Sequence, residues 1–412
     1  MMQFGLIGER LGYSYSKDIH EQLSPCSYEL RELPREGLDA FLREAPFRGI
    51  NVTIPYKEAV LPYLSWISPE ARAIGAVNTI VKREGRLLGY NTDYSGLKAL
   101  AEKAGVSFRG RRVLILGAGG AAKCAHALAV DEGAISVTHA VRKPREAGQI
   151  RLDAIAPDND YEVLVNCTPV GVSPNEEDCP VDLRRLPRLE GVLDLIYNPL
   201  RTNLVLDAQE AGIPAEGGLY MLVAQAVAAR SLFDGTGLAF RETTVRVFQD
   251  LYKAKRNLVL TGMPSSGKST LGRLLAEKSG RRFVDTDTLI PEKAGKSIPQ
   301  IFAEDGEARF RAWESEVIRL LAQEKGLVIA TGGGAVLDWQ NVRRLRRNGS
   351  ILYLKRDLDR LTATADRPLS SDRSALEALF ARRKDAYERA AEITVDNNGS
   401  LADSLCQMEP LI

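Results

Sequence analysis

Apolar residues in this 412-residue chain fall into short continuous runs separated by longer stretches of helical periodicity. Runs of that kind are strands buried on both faces of a sheet, and the stretches between them are the covering helices. Over residues 1 to about 95 the runs include Phe4–Ile7, Gly49-Ile-Asn-Val-Thr-Ile and Ala76-Val-Asn-Thr-Ile-Val. Next comes Arg112-Val-Leu-Ile-Leu-Gly, the strongest single strand, then Ile135–Thr138, Glu162–Val165 and Gly191–Ile196. Their alternation with helical stretches predicts a parallel doubly wound sheet over residues 98–217. Residues 218–233 read as a clear helix, expected to return to the first lobe. Gly235-Thr-Gly breaks the pattern, and a short charged helix at about 241–253 leads into a second series. That series has a strand at Asn257–Leu260, a helix from Leu271, a strand whose end carries Asp285-Thr-Asp287, and another strand before Gly332.

The pattern divides the chain into a first lobe (1–97 with 218–240), a second lobe (98–217), a short linker (241–255) and a separate α/β domain (256–412). Length alone favours at least two domains. With 44% hydrophobic and 26% charged residues, the composition is that of an average globular protein. Net charge is +1, with 30 basic and 32 acidic residues up to Lys255 and 25 and 22 from Arg256 onward. No basic stripe is present for nucleic acid or an anionic membrane, so no nucleic-acid or membrane partner is expected. The densest cluster, Arg343, Arg344, Arg346 and Arg347, reads as a solvated helix face. Five widely spaced cysteines without a C-x-x-C pair, and only three histidines, make a structural zinc site an unexpected feature. The N-terminus runs directly into a strand pattern, without a signal peptide or a membrane-length apolar run, so a cytoplasmic protein is expected.

Two glycine motifs carry nucleotide chemistry. Gly117-Ala118-Gly119-Gly120-Ala121-Ala122 fits G-x-G-x-x-A directly after the strongest strand and at the start of a helix. There the glycines admit a pyrophosphate and the helix N-terminus holds its charge. Where an NAD site would place an acidic residue, the chain has Val141-Arg142-Lys143, positive charge suited to a 2′-phosphate, which favours NADP. In the second series, Gly262-Met-Pro-Ser-Ser-Gly267-Lys268-Ser269-Thr270 is a P-loop between strand and helix. Lys268 would reach the β- and γ-phosphates of a nucleoside triphosphate and Ser269 would ligate Mg²⁺.

Other polar residues cluster around these motifs. In the first half they are Ser14 and Ser16, then Thr53 and Lys57 in Asn51-Val-Thr-Ile-Pro-Tyr-Lys, then Asn78 and Asp93. Taken together these segments resemble shikimate dehydrogenase over residues 1 to about 240. The resemblance implies that Ser14 and Ser16 hold a substrate carboxylate. Lys57 and Asp93 would form the catalytic pair, with Thr53 and Asn78 hydrogen-bonding the substrate. Gln225 would reach the substrate from the returning helix, and Asn166-Cys-Thr168 and Asp194-Leu-Ile-Tyr197 would line the cleft near the nicotinamide. The chain departs from the family in Tyr13-Ser-Tyr-Ser-Lys17, where His-Ser-x-Ser-Pro is usual, and in Val-Arg-Lys, where Asn-Arg-Thr is usual.

In the second half, Asp285 and Asp287 lie at i, i+2 on a strand end, so one carboxylate can serve a metal and the other an attacking hydroxyl. Arg311, Gly332-Gly333-Gly334, Arg360, Arg367 and Arg383 follow. Their order is similar to that of shikimate kinase over residues 256–408, a P-loop fold with a parallel sheet of the nucleoside-monophosphate-kinase type. By this resemblance Asp287 orients the acceptor hydroxyl and Asp285 belongs to the Mg²⁺ shell. Arg311 and Arg383 grip the carboxylate with Gly333 and Gly334 behind the ring, Arg367 closes from a lid, and Arg360 stacks on adenine.

The two resemblances imply consecutive reactions: NADPH-dependent reduction of 3-dehydroshikimate, then ATP-dependent phosphorylation of shikimate. Two alternatives stay open. One is a metabolite-sensing regulatory protein with enzyme-like domains; the other is a quinate-accepting dehydrogenase fused to a different small-molecule kinase.

Overall fold

The computed structural model describes residues 3–12, 14–235, 237–362 and 372–412. The chain divides into two compact units, Met1–Leu251 and Tyr252–Ile412.

The first unit holds two six-stranded sheets. One is mixed, from β1 (Phe4–Gly8), β2 (Tyr28–Glu32), β3 (Gly49–Val52), β4 (Trp66–Ile67), β5 (Thr79–Arg83) and β6 (Arg86–Tyr90), in the order β2-β1-β3-β5-β6-β4. Strands β2, β1 and β3 run parallel, and β5 is antiparallel to both β3 and β6. The other comprises β7 (Arg112–Leu116), β8 (Ser136–Val141), β9 (Gln149–Arg151), β10 (Val163–Asn166), β11 (Gly191–Asp194) and β12 (Ala215–Glu216). It is parallel throughout, in the order β12-β11-β10-β7-β8-β9. Successive β7 residues feed opposite faces: Val113 and Ile115 join one apolar cluster, Leu114 and Leu116 another. Burial on both faces is why this strand is an unbroken apolar run.

The second unit has one parallel sheet of β13 (Asn257–Thr261), β14 (Arg282–Asp285), β15 (Leu327–Ala330), β16 (Gly349–Lys355) and β17 (Ile393–Asp396), ordered β14-β15-β13-β16-β17. Here too the faces alternate, Val259 packing with Ile329 and Ile351, and Leu258 and Leu260 with Val328 and Leu352. The boundary between units falls inside the helix Phe240–Lys255, which occupies the segment expected as a linker. Among the described residues, no helix is long and apolar enough to cross a membrane.

Strand β3 stops at Val52, short of the expected Ile54. Pro55 has no N–H to continue a ladder, and the chain turns into the short helix Tyr56–Ala59 that carries Lys57. The helix Thr92–Ala104, which carries Asp93, starts on Asn91, whose side chain accepts from the Asp93 N–H at 3.1 Å. This helix lies against the helix Leu219–Asp234, which carries Gln225, and Gly96 permits the approach. A Cβ there would meet the Met221 carbonyl oxygen at 2.8 Å and the Gln225 Cβ at 3.0 Å. Gly96→Ala is therefore expected to destabilise the first unit by about 1–3 kcal/mol, the usual cost of overpacking. Urea unfolding checks this, and an unchanged midpoint would show that the two helices can part freely.

Candidate active sites

In the first unit, a cavity of about 360 Å³ opens at the ends of β1 and β3. Ser14, Ser16, Thr53, Lys57, Asn78, Asp93, Tyr197 and Gln225 all line it, although they come from distant parts of the chain. Lys57 Nζ donates to Asp93 Oδ2 at 2.6 Å, with both side chains largely buried. Asn78 Nδ2 donates to Asp93 Oδ1 at 2.9 Å and to Thr92 Oγ1 at 3.1 Å. Its Oδ1 accepts from the Thr92 N–H at 2.7 Å and from Thr79 Oγ1 at 3.0 Å. Both amide hydrogens of Asn78 are thus engaged within the protein. These bonds hold the Asp93 carboxylate toward Lys57, and Asn78 also lines the cavity in which its expected substrate hydrogen bond would form. The network extends through Thr79 and Asn51 to Tyr28, whose hydroxyl donates to Asn51 Oδ1 at 2.8 Å.

At the serine end, Ser14 Oγ and Ser16 Oγ are 3.1 Å apart, and the Ser16 N–H donates to Ser14 Oγ at 3.2 Å. Tyr13 lies outside the described residues.

The glycine loop after β7 leads into the helix Gly120–Asp131, whose N-terminus has no side-chain cap and so leaves its amides for an anion. Gly117 has φ +107°, a conformation open to glycine, and a Cβ at Gly119 would meet nothing within 4 Å. Ala118 follows Gly117 in this loop, and Ala121 reaches the cavity wall. This cradle fits a dinucleotide pyrophosphate. Arg142 and Lys143 are exposed just past the end of β8. Sequence reasoning missed His139, whose Nδ1 lies 2.9 Å from the Gly117 carbonyl oxygen while its Nε2 lies 3.0 Å from His126 Nδ1. Only its position one strand away from the loop reveals that role.

Asn166, Thr168 and Asp194 do not line the cavity; they brace its wall instead. Asp194 is fully buried and accepts from Asn166 Nδ2 at 3.0 Å, Thr202 Oγ1 at 2.6 Å and the Ile196 N–H at 3.1 Å. Burial pushes its carboxyl up to about 6 against these three donors. Between about pH 4 and 6 the folded state keeps a proton that the unfolded chain has lost. Stability from this group is therefore present at low pH and lost as pH rises through that window, by about 3 kcal/mol for about two units. Urea titrations of wild type and Asp194→Asn should diverge by this amount between pH 4 and 7; parallel curves would exclude it.

In the second unit, a cavity of about 720 Å³ is lined by the P-loop, Asp285, Asp287, Arg311, Gly332, Gly333, Gly334 and Arg383. Gly262 (φ +149°) and Gly267 (φ +87°) shape the loop. A Cβ on Gly262 would meet the Leu354 carbonyl oxygen at 2.9 Å. Lys268 Nζ donates to the carbonyls of Gly262 (3.0 Å) and Met263 (2.9 Å), and Thr270 also lines the cavity. The following helix, Lys268–Ser279, has no side-chain cap, so its first amides suit phosphate. Ser269 Oγ donates to Asp285 Oδ2 at 2.6 Å, which brings the two expected Mg²⁺ residues together. Among the described residues no cluster of three or more His, Cys, Asp or Glu could hold a metal. One carboxylate and one hydroxyl fit a Mg²⁺ that takes its remaining ligands from phosphate and water.

Two of the three glycines, Gly332 and Gly334, leave space for neighbouring side chains rather than adopt a special φ. A Cβ on Gly332 would collide with Glu314 Oε1 and lie 2.9 Å from Asp287 Oδ1; one on Gly334 would run into the Arg311 guanidinium. Glu314 was not foreseen. It is almost fully buried, receives Arg311 Nη1 at 2.7 Å, and its Oε1 has no hydrogen-bond partner among the described residues. Burial pushes its carboxyl up, while Arg311 opposes the rise. Arg311 also meets Glu307 at 3.1 Å, so two carboxylates fix its fork. Arg383 is buried, and the Tyr387 hydroxyl on the same helix donates to the Gly333 carbonyl. Arg360 does not line the cavity; it donates to the Asn398 carbonyl, next to Asn397, whose Nδ2 donates to the Ser266 carbonyl at 2.5 Å. Arg367 lies outside the described residues.

Both halves of the chain resemble known proteins. Shikimate dehydrogenase (NADP(+)) of Clostridium perfringens (strain 13 / Type A) is 34% identical over 268 residues, which is 61% of this chain and 98% of that protein. The chain belongs to the shikimate dehydrogenase family. The family model for the shikimate dehydrogenase substrate binding domain matches residues 6–80. A shikimate dehydrogenase (NADP(+)) of Thermus thermophilus is 39% identical over 249 residues, 57% of this chain and 93% of that one. Among solved structures, a chorismate mutase/shikimate 5-dehydrogenase fusion protein from Clostridium acetobutylicum aligns with TM-score 0.57 and 36% identity. The match spans 61% of this chain and 96% of that one. Shikimate 5-dehydrogenase from a second Thermus thermophilus strain, in complex with NADP(H) and shikimate, aligns with TM-score 0.53 and 32% identity, over 60% and 100% of the two chains. The shikimate kinase family model matches residues 264–408, so a kinase domain follows the dehydrogenase and the chain is a bifunctional shikimate-pathway enzyme.

Proposed function

We propose that the first cleft reduces 3-dehydroshikimate to shikimate with NADPH, and that the second phosphorylates shikimate with ATP and Mg²⁺. The observation that carries this reading is convergence: each unit gathers its reactive side chains and its carboxylate-binding side chains into one cavity.

In the first cleft, the nicotinamide supplies the hydride. Lys57 donates a proton to the oxygen that becomes the hydroxyl, and Asp93, 2.6 Å away, holds the ammonium in line. Asn78 orients Asp93. Ser14 and Ser16 take the carboxylate, while Thr53, Tyr197 and Gln225 bind the ring substituents. Gly117 to Ala121 hold the pyrophosphate, and Arg142 and Lys143 meet the 2′-phosphate. These last two make NADP the preferred cofactor.

In the second cleft, ATP supplies the phosphoryl group. Asp287 binds and orients the acceptor hydroxyl, and Lys268 with the loop amides holds the phosphates. Ser269 and Asp285 hold Mg²⁺, and Thr270 continues the phosphate-binding turn. Arg311 and Arg383 grip the shikimate carboxylate, for which planar guanidinium forks are suited. Gly333 and Gly334 let the ring approach. Arg360 and Arg367 serve the adenine and the γ-phosphate.

A single mixture tests both halves. Purified protein with 3-dehydroshikimate, NADPH, ATP and Mg²⁺ should lose NADPH absorbance and yield a phosphorylated product by mass. Loss of NADPH without that product would leave only the dehydrogenase half standing.

A further inference from the structure

Among the described residues lining the first cleft, three are charged: Arg10, Lys57 and Asp93. Lys57 and Asp93 neutralise one another at 2.6 Å. Arg10 follows β1 on the loop that leads to Ser14 and Ser16, and it is exposed. Its neighbour Glu9 is turned to Arg35, at 3.0 Å, and Glu32 receives the Leu11 N–H at 2.9 Å. No hydrogen bond or ion pair engages the Arg10 side chain among the described residues, so the cleft wall carries one uncompensated positive charge, four residues before Ser14 in the chain.

We propose that Arg10 is a specificity-determining residue, a cation that draws the carboxylate of the substrate to the Ser14–Ser16 end of the cleft. The inference rests on the dehydrogenase reading given above. The physical argument is one of polarity. Two hydroxyls alone would bind a carboxylate, an amide or an ester with little discrimination. A guanidinium lining the same cavity can add a charge-assisted bond that only an anion can accept. The placement also fixes direction along the cleft, because the neutral Lys57–Asp93 pair exerts no comparable pull on an anion. With the carboxylate held at Arg10, the opposite side of the ring faces the catalytic pair.

The test is steady-state NADP⁺ reduction by shikimate and by its carboxamide, with wild type, Arg10→Ala and Arg10→Lys. NADPH formation reports the dehydrogenase cleft alone, since the kinase site also binds shikimate. In Arg10→Ala the KM for shikimate should rise about tenfold, a modest value for a charge-assisted bond at an exposed site, with kcat changed far less. Arg10→Lys should recover part of the loss. Wild type should favour shikimate over the carboxamide, and Arg10→Ala should narrow that preference. Added salt should raise the wild-type KM and leave the Arg10→Ala value nearly flat. A KM for shikimate unchanged in Arg10→Ala, or a change confined to the KM for NADP⁺, would overturn the proposal with the dehydrogenase reading intact. Absence of any NADP⁺ reduction by the wild type would instead remove the dehydrogenase reading itself, and Arg10 with it. Because the Arg10 side chain has no partner among the described residues, the thermal unfolding midpoint should not move.

Discussion

Lys57→Ala should lower NADPH-dependent turnover of 3-dehydroshikimate by about 10²–10⁴-fold, the share usual for one positioned acid–base group. The side chain sits on a four-residue helix at the cleft wall, and among the described residues its ammonium bonds to Asp93 alone. Its loss therefore removes a proton donor rather than a structural brace. The variant also leaves Asp93 without its cation, which adds a penalty of its own. Substrate KM should change much less than kcat, because Ser14, Ser16 and Gln225 remain in place. The second unit supplies an internal control: kinase activity of the same preparation should match wild type. Near-normal reduction by Lys57→Ala would take the proton-donor role away from this residue, whatever the kinase does.

Lys268→Ala should produce the mirror image. Phosphoryl transfer depends almost wholly on positioning and charge stabilisation. Removing one preorganised donor from such a site costs about 10²–10³-fold in kcat. Lys268 turns its ammonium to the carbonyls of Gly262 and Met263, in the loop that is to wrap the phosphates. Dehydrogenase turnover should be untouched. A phosphorylation rate within about twofold of wild type would show that the loop amides and Mg²⁺ suffice without this cation.

How much of this could be read from the sequence followed from where the signal was local. Strand β7 and the loop after it were legible because a strand buried on both faces is continuously apolar and its glycines follow at fixed spacing. The same holds for β13 and the P-loop. Strand β2 left no such trace: at the edge of its sheet, only Tyr28 is buried and the other four residues are exposed. Strands β4 and β12, two residues each, are too short for any periodicity. The end of β3 was misplaced because Thr53 and Ile54 favour strand, whereas Pro55 turns the chain away.

Among the site residues, identity was more legible than partnership. Asn78 was foreseen in the cleft, but its bonds to Thr92 and Asp93 join residues 14 and 15 positions away and have no sequence signature. Glu314 reads as one more charge on an amphipathic helix. Its spacing of three from Arg311 was the available clue, and its burial against Gly332 appears only in three dimensions.

The helix Phe240–Lys255 bears on any attempt to express the two enzymes separately. Upstream, Val247 and Leu251 are sealed and Phe248 meets Tyr220 edge-on. Downstream, the Lys253 carbonyl receives Arg281 and the Lys253 ammonium reaches the Ile412 carbonyl. The two sets of contacts meet between Leu251 and Lys253, so any cut there severs the i to i+4 backbone bonds of the helix that both halves share. Truncations that preserve both activities should overlap, each retaining its own copy of roughly the last turn of that helix.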